Sequence, residues 1–202
     1  MSFTENKNLR IGLVIMASGL SKRFGRNKLM EPLADKPLIQ WLLDKSNDVF
    51  SKRIVVTRSK DVEDFCKRYG IECIYHELPF RSDTVRLGLE ALKDSVDYCF
   101  FAPADQPLIT KESLEALVKA ARDYPDKIVR PSFSDTVGAP MGFPSSYFSQ
   151  LENLPEGKGG NWVAKSDPNN VHLVSVRFEY ELLDIDTQSD LEKVKKLIHK
   201  QL

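Results

Sequence analysis

Long hydrophobic runs are missing from this sequence. Its uninterrupted apolar stretches reach about six residues, well short of the roughly 20 that a membrane-spanning helix requires. Met1 to Arg10 is polar and lacks the apolar centre of a signal peptide, so a cytoplasmic protein without a membrane partner is expected. Charge of one sign is not in excess either. Lys plus Arg and Asp plus Glu each number 29, which leaves no global positive field to gather nucleic acid. The 3 cysteines, Cys66, Cys73 and Cys99, form no C-x-x-C pair, which argues against a disulfide framework or a zinc site and makes each thiol an expected core residue. The 3 histidines, His76, His172 and His199, are scattered without metal-binding helical spacing, and none is assigned chemistry.

Two phosphate-binding signatures are also absent. A P-loop needs Gly, four residues, Gly-Lys and a hydroxyl residue, whereas here Gly19 and Gly25 lie six apart and Arg26 follows. No Gly-x-Gly-x-x-Gly occurs. What does occur is a stretch of small residues and cations directly after the first apolar run, Ile11 to Met16. Ala17, Ser18 and Gly19 let a backbone approach a ligand closely, with Ser21 beside them, and Lys22, Arg23, Arg26 and Lys28 place four positive charges within seven positions. A nucleoside triphosphate is the natural guest of such a loop. The alternative is a solvated loop or a nucleic-acid patch.

A chain of 202 residues, with 42% apolar and 29% charged residues, is sized for one soluble domain spanning 1–202. Strands are expected at Ile11 to Met16, Ile54 to Thr57, Glu72 to Tyr75, Tyr98 to Ala102, Lys127 to Arg130, Met141 to Phe143 and Val171 to Val176. Helical patterns alternate with them: one opened by Pro37, one over Asp61 to Tyr69 ending at Gly70, and others after Asp83, Thr110 and Thr187. Thr110 reads as an N-cap, and Thr187 with Asp190 as a capping box. The alternation predicts an α/β fold of the Rossmann-like, three-layer kind, with a mixed, mostly parallel sheet and a ligand site beyond the carboxyl ends of its strands. From Arg130 to Lys165 the pattern loosens around several prolines and glycines, and residues 130–165 are expected to form an acceptor-side insertion.

Three further segments carry candidate chemistry. Phe100 to Pro107 is an apolar strand ending in Asp105, a carboxylate placed to hold Mg²⁺ or simply to cap a turn. In Leu183 to Thr187 the two acids Asp184 and Asp186 alternate along an expected strand end, so that only one faces the site. Asp186 is the candidate second metal ligand, and Asp184 is read as a helix N-terminal charge. Arg81 to Leu89 brings Ser82, Asp83, Thr84 and Gly88 to a helix start, where they recognise a base or ribose, cap the helix with Ser82 or Asp83, or do both.

In this order the segments resemble the MobA-like nucleotidyltransferases, most closely the molybdenum cofactor cytidylyltransferase branch. The family's opening L-A-A-G-x-S-x-R-F-G-x-x-K is met by Met16 to Lys28, its D-Q-P-L by Asp105 to Leu108, its D-x-D-T by Asp184 to Thr187, and its serine-containing helix start by Ser82 to Gly88. The resemblance implies a fold of the nucleotide-diphospho-sugar transferase type. It further implies transfer of a nucleotidyl group from NTP and Mg²⁺ to the phosphate of molybdopterin or a related pterin, with CTP favoured over GTP and a molybdoenzyme as a further partner. Arg23 and Lys28 would neutralise the triphosphate, Asp105 and Asp186 would hold Mg²⁺, and Gly138, Pro140 and Gly160 would face the acceptor. Departures fall at Ser18, where the family has Ala or Gly, and at Ala139, Lys158 and Trp162, which stand where it has His, Asp and Arg. These keep a sugar-phosphate acceptor, or a nucleotide-binding accessory role without catalysis, open as alternatives.

Overall fold

The computed structural model describes residues 9–199; most of the polar start, Met1 to Asn8, lies outside the described residues. The chain begins with β1 (Ile11–Ala17) and a loop containing a one-turn helix at Lys28–Met30, followed by a small hairpin of β2 (Pro32–Leu33) and β3 (Lys36–Pro37). It continues through α1 (Leu38–Lys45), β4 (Lys52–Thr57), α2 (Lys60–Arg68), β5 (Cys73–Tyr75), α3 (Arg81–Leu92), β6 (Tyr98–Pro103) and α4 (Lys111–Asp123). The second half contributes β7 (Ile128–Phe133), β8 (Thr136–Val137), β9 (Met141–Pro144), α5 (Phe148–Glu152), α6 (Gly160–Ser166), β10 (Val171–Ser175) and α7 (Gln188–His199).

The central sheet runs β10-β7-β9-β6-β1-β4-β5, with β8 added beside β7. Pairings β5 to β4, β4 to β1, β1 to β6 and β7 to β10 are parallel, while β9 lies antiparallel to both β6 and β7, so the sheet is mixed and mostly parallel. Alternation along β1 explains the layering. Ile11, Leu13 and Ile15 point into one apolar cluster with Leu42 of α1, Phe65 of α2, Leu117 of α4 and Val194 of α7, while Val14 points into the other with Leu89 of α3, Leu151 of α5 and Val163 of α6. Burying a parallel strand on both faces requires such a continuous apolar run. After β1 the chain builds outward to β4 and β5 and then returns to the other side of β1 as β6. The resulting switch between β1 and β6 opens the crevice in which ligands of open α/β sheets bind.

Local chemistry set several boundaries as expected. Thr110 Oγ1 accepts from the Ser113 amide at 3.1 Å, and Thr187 and Asp190 exchange bonds of 2.9 and 3.2 Å as a capping box. Helix α3 starts at Arg81, three residues before the Thr84 on which a helix following Asp83 would open. Neither Ser82 nor Asp83 is its N-cap; Asp83 Oδ2 instead reaches back to the Phe80 amide at 3.0 Å. The segment 130–165 supplies β8, β9 and most of β7 to the sheet, and its two helices cover the α3 face, so these residues are woven into the main architecture. Asp184 and Asp186 are not on a strand. They follow a one-turn helix at Glu179–Leu182 in irregular backbone, so strand alternation does not apply to them.

Gly88 corrects another expectation. It sits where α3 crosses the sheet, and a Cβ there would lie 2.8 Å from Val14 Cγ2 and 3.1 Å from Val56 Cγ2. Its role is close packing of helix on sheet rather than contact with a nucleotide. Gly88→Ala is expected to destabilise the fold by about 1–3 kcal/mol through overpacking. Urea unfolding checks this, and an unchanged midpoint would contradict the packing role.

Candidate active site

Two backbone bonds bring the candidate residues together. The Ala104 amide donates to Met16 O at 3.1 Å, joining the carboxyl ends of β6 and β1, and the Ile185 amide donates to Asp105 O at 3.0 Å, drawing the Asp184 to Asp186 segment onto the same edge. The loop after β1 is held by Phe24, which is buried in the core, and by Gly25 at φ 83°, a left-handed backbone that glycine adopts without a Cβ penalty. Ser21 closes this loop from within: its carbonyl accepts from the Phe24 and Gly25 amides, and its Oγ accepts from the Lys28 amide at 3.3 Å.

The outcome is a cavity of about 530 Å³, within the usual range for small-molecule sites. Of the expected residues, Ser18, Gly19, Lys22, Arg23, Lys28, Thr84, Asp105 and Asp186 line it. Ala17, Ser82 and Gly88 do not; all three are packed into the protein interior. Ser21 instead borders a shallower hollow with Asn27 and Ser59. Arg26 turns away and grips Glu31 through two bonds of 2.5 and 2.6 Å. Gly138, Pro140 and Gly160 also lie outside the cavity lining. The Gly138 carbonyl accepts from Arg130 Nε at 3.2 Å and Nη2 at 3.0 Å, while Arg130 Nη1 holds Asn161 at 3.1 Å, so one arginine clamps this region. It abuts the cavity through Gly159, whose Cβ position lies 3.2 Å from Arg81 Nε.

At the floor of the cavity Lys28 is only 7% exposed, and its ammonium donates to Asp105 at 2.5 Å and to Asp186 at 3.1 Å. The other Asp186 oxygen holds Arg23 at 2.7 Å. Burial alone would lower the Lys28 ammonium, but the charges and hydrogen bonds of Asp105 and Asp186 outweigh it and hold its pKa above the ordinary value. Asp184 also opens into the cavity, contrary to its reading as a helix charge; the acid at the start of α7 is Asp190. Protein packed around the Asp184 carboxyl and the neighbouring charges of Asp105 and Asp186 push it up to about 6. Lys22, Arg58 and Arg81 line the walls without an ion pair among the described residues. Five cations therefore face three carboxylates, and the excess positive charge suits a polyanion.

Among the described residues no group of three or more His, Cys, Asp or Glu is arranged to hold a metal unaided. Mg²⁺ asks for less: it takes few protein oxygens and completes its shell with phosphate oxygens and water. Asp105 and Asp186, already sharing one cation between them, fit that requirement.

Arg58, Arg81, Phe80 and His76 were missed from sequence. Arg58 lies just past β4 and Arg81 opens α3, so the only available signal was a cation beyond a strand's carboxyl end. His76 follows β5, is 7% exposed, and places Nε2 at 2.9 Å from Ser18 Oγ and 3.4 Å from Thr84 Oγ1. Its assignment to no chemistry came from spacing rules that look only for metal ligands. Burial, helped by the nearby Arg58 and Arg86 and opposed by Asp83, holds the imidazole below its ordinary value. The unfolded chain then takes up this proton first as pH falls through about 6.5, so the folded state loses stability there. Urea unfolding near pH 7.5 and pH 5.5 is expected to show wild type losing more stability on acidification than His76→Gln; equal losses would contradict the burial argument.

The family described as MobA-like NTP transferase domain matches residues 13–171. A 3-deoxy-manno-octulosonate cytidylyltransferase from Acaryochloris marina is 30% identical over 144 residues, covering 70% of this chain and 56% of that protein. A probable molybdenum cofactor guanylyltransferase from Pyrococcus furiosus is 26% identical over 195 residues, covering 91% of this chain and 96% of the relative. The chain thus spans little more than half of the first relative and nearly all of the second. The crystal structure of Rv0371c from Mycobacterium tuberculosis superposes with a TM-score of 0.83 at 23% identity, over 93% of this chain and 98% of that one. The same mycobacterial protein in complex with manganese superposes with a TM-score of 0.75 at 20% identity, over the same shares of the two chains. These superpositions show a shared fold.

Proposed function

We propose, from the premise that this chain belongs to the MobA-like NTP transferase domain family, that it transfers a nucleotidyl group from a nucleoside triphosphate with Mg²⁺ to the phosphate of a molybdopterin-type pterin, releasing pyrophosphate. The observation that carries this is the buried Lys28 ammonium shared by Asp105 and Asp186 at the floor of a cavity walled with cations that have no ion pair among the described residues. The guanylyltransferase relative, matched along almost its whole length, supports the pterin acceptor. A second reading, 3-deoxy-manno-octulosonate or a related sugar acid as acceptor, draws on the 30% identity to the cytidylyltransferase. CTP is the favoured donor and GTP the alternative.

In this reaction an acceptor oxygen attacks the α-phosphorus, the bond from that phosphorus to the bridging oxygen of the β-phosphate breaks, and pyrophosphate departs with the electron pair. No side-chain nucleophile is required. The protein's task is to align three atoms and to stabilise charge that grows on the leaving group. Lys22, Arg58 and Arg81, without ion pairs among the described residues, offer their charges to the incoming phosphates. Lys28 is held beforehand at the buried floor by both acids, and the exposed Arg23 is paired with Asp186 above it. Mg²⁺ on Asp105 and Asp186 would supply Lewis-acid polarisation and neutralise phosphate charge. Lys28 and Arg23 would then turn from these acids to donate to phosphate oxygens, where each charge-assisted bond is worth about 1.5–3 kcal/mol.

The test is pyrophosphate release from CTP or GTP with Mg²⁺, with molybdopterin and 3-deoxy-manno-octulosonate offered separately as acceptor. Release with molybdopterin is expected, and Asp105→Asn is expected to lower kcat by about 10²-fold or more. Release with the sugar acid alone selects the second reading. No release with any acceptor, or an unaffected Asp105→Asn variant, would overturn both.

A further inference from the structure

The cavity is not uniform from end to end. The order β5-β4-β1-β6 puts the carboxylates and Lys28 on the β6 side of β1, whereas Ser18, Thr84 and Phe80 lie on the β4 and β5 side. The second end carries hydroxyls and an aromatic ring that is 37% exposed. Behind those hydroxyls, outside the cavity lining, sits His76. A triphosphate whose phosphates take the charged floor leaves its base at the hydroxyl end.

We infer that His76 is a positioning residue for nucleobase selection: it fixes the hydrogen-bond roles of Ser18 and Thr84, and through Thr84 favours a base that presents a carbonyl edge. The inference rests on the function proposed above and concerns the same site. The hydroxyl of Ser18 has one hydrogen. Ser18 Oγ donates to Val56 O at 3.1 Å, an oxygen that can only accept, so the hydroxyl must accept from His76 at 2.9 Å. The Nε2 atom therefore carries the imidazole proton. This assignment also explains Nδ1, which is buried and has no hydrogen-bond partner. In the Nε2–H form Nδ1 is a bare acceptor, whereas the opposite tautomer would bury an unsatisfied N–H, the rarer situation in folded proteins.

Thr84 Oγ1 lies 3.4 Å from the same Nε2–H and faces a group that already donates. It accepts at that side and keeps its own hydrogen for a guest. A hydroxyl fixed as a donor matches a carbonyl oxygen, as on cytosine, uracil or guanine, and finds no acceptor in the exocyclic amino group of adenine. Ser18 stands where the family resemblance has Ala or Gly, so this His76 to Ser18 link is a property of this chain's own residues.

The experiment is calorimetric titration of the full chain, with Mg²⁺, against CTP, GTP, UTP, ATP and inorganic tripolyphosphate. In the wild type ATP is expected to bind weakest of the nucleotides. His76→Phe, which keeps bulk and removes the donor, is expected to shrink the spread of nucleotide Kd values by roughly five- to tenfold, the size of one neutral hydrogen bond. Its tripolyphosphate affinity stays within about twofold of wild type, and His76→Gln, whose amide N–H replaces the donor, keeps the spread. A spread preserved in His76→Phe, or a loss that falls equally on tripolyphosphate, overturns the inference. If His76→Phe fails to fold, Thr84→Val gives the same readout, and an unchanged spread there overturns it too. A wild type that binds tripolyphosphate but ranks all four nucleotides equally refutes base selection alone. A wild type that binds no tripolyphosphate refutes the function on which the inference rests.

Discussion

The Lys28 ammonium between Asp105 and Asp186 joins three parts of the chain that are far apart in sequence: the loop after β1, the end of β6 and the approach to α7. Two acids gathered at one edge of a sheet repel each other unless a cation lies between them, and an ammonium as buried as that of Lys28 is costly unless it is paired. Each therefore makes the other tolerable. The arrangement also depends on the backbone, because the Ile185 amide bonded to Asp105 O fixes the distance between the segments that carry the two acids. The site is built before any ligand arrives.

That construction explains how charge is distributed over the cavity. The floor is nearly neutral, since Lys28 and Arg23 are matched by Asp105 and Asp186, while the walls carry Lys22, Arg58 and Arg81 without ion pairs among the described residues. A polyanion accompanied by a divalent cation would meet both needs at once, with its phosphates toward the wall cations and its metal toward the acids. Asp184, pushed up to about 6 by burial first and then by the charges of Asp105 and Asp186, sits among the negative charge that edge already holds. Gathering it there without a cation nearby would cost stability, and the loop of small residues and cations after β1 supplies that cation from within the chain.

Much of this was legible in the sequence. The apolar runs of β1, β4 and β6 gave the parallel core, since double-sided burial leaves little room for polar residues, and the caps at Thr110 and Thr187 followed from local hydrogen bonding. The loop from Ser18 to Lys28 and the acids Asp105 and Asp186 stood out because their charge is dense and sits at strand ends. Less accessible were roles decided by contacts distant in sequence. Arg26 looked like its neighbours until Glu31 captured it, and Gly88 looked functional until Val14 occupied the space its side chain would need. Asp184 was misplaced because a strand was assumed where the backbone is irregular. His76 was passed over because its significance comes from Ser18, 58 positions away, and from Thr84 on a different element.

Anomalous diffraction from crystals grown with Mn²⁺ and CTP addresses the central interaction directly. A manganese peak between the Asp105 and Asp186 carboxylates is predicted, with the Lys28 ammonium displaced from those acids onto a phosphate oxygen. A nucleotide bound with Lys28 still bridging the two acids, or manganese held elsewhere in the molecule, would contradict the proposal that these acids exchange their internal cation for a divalent one.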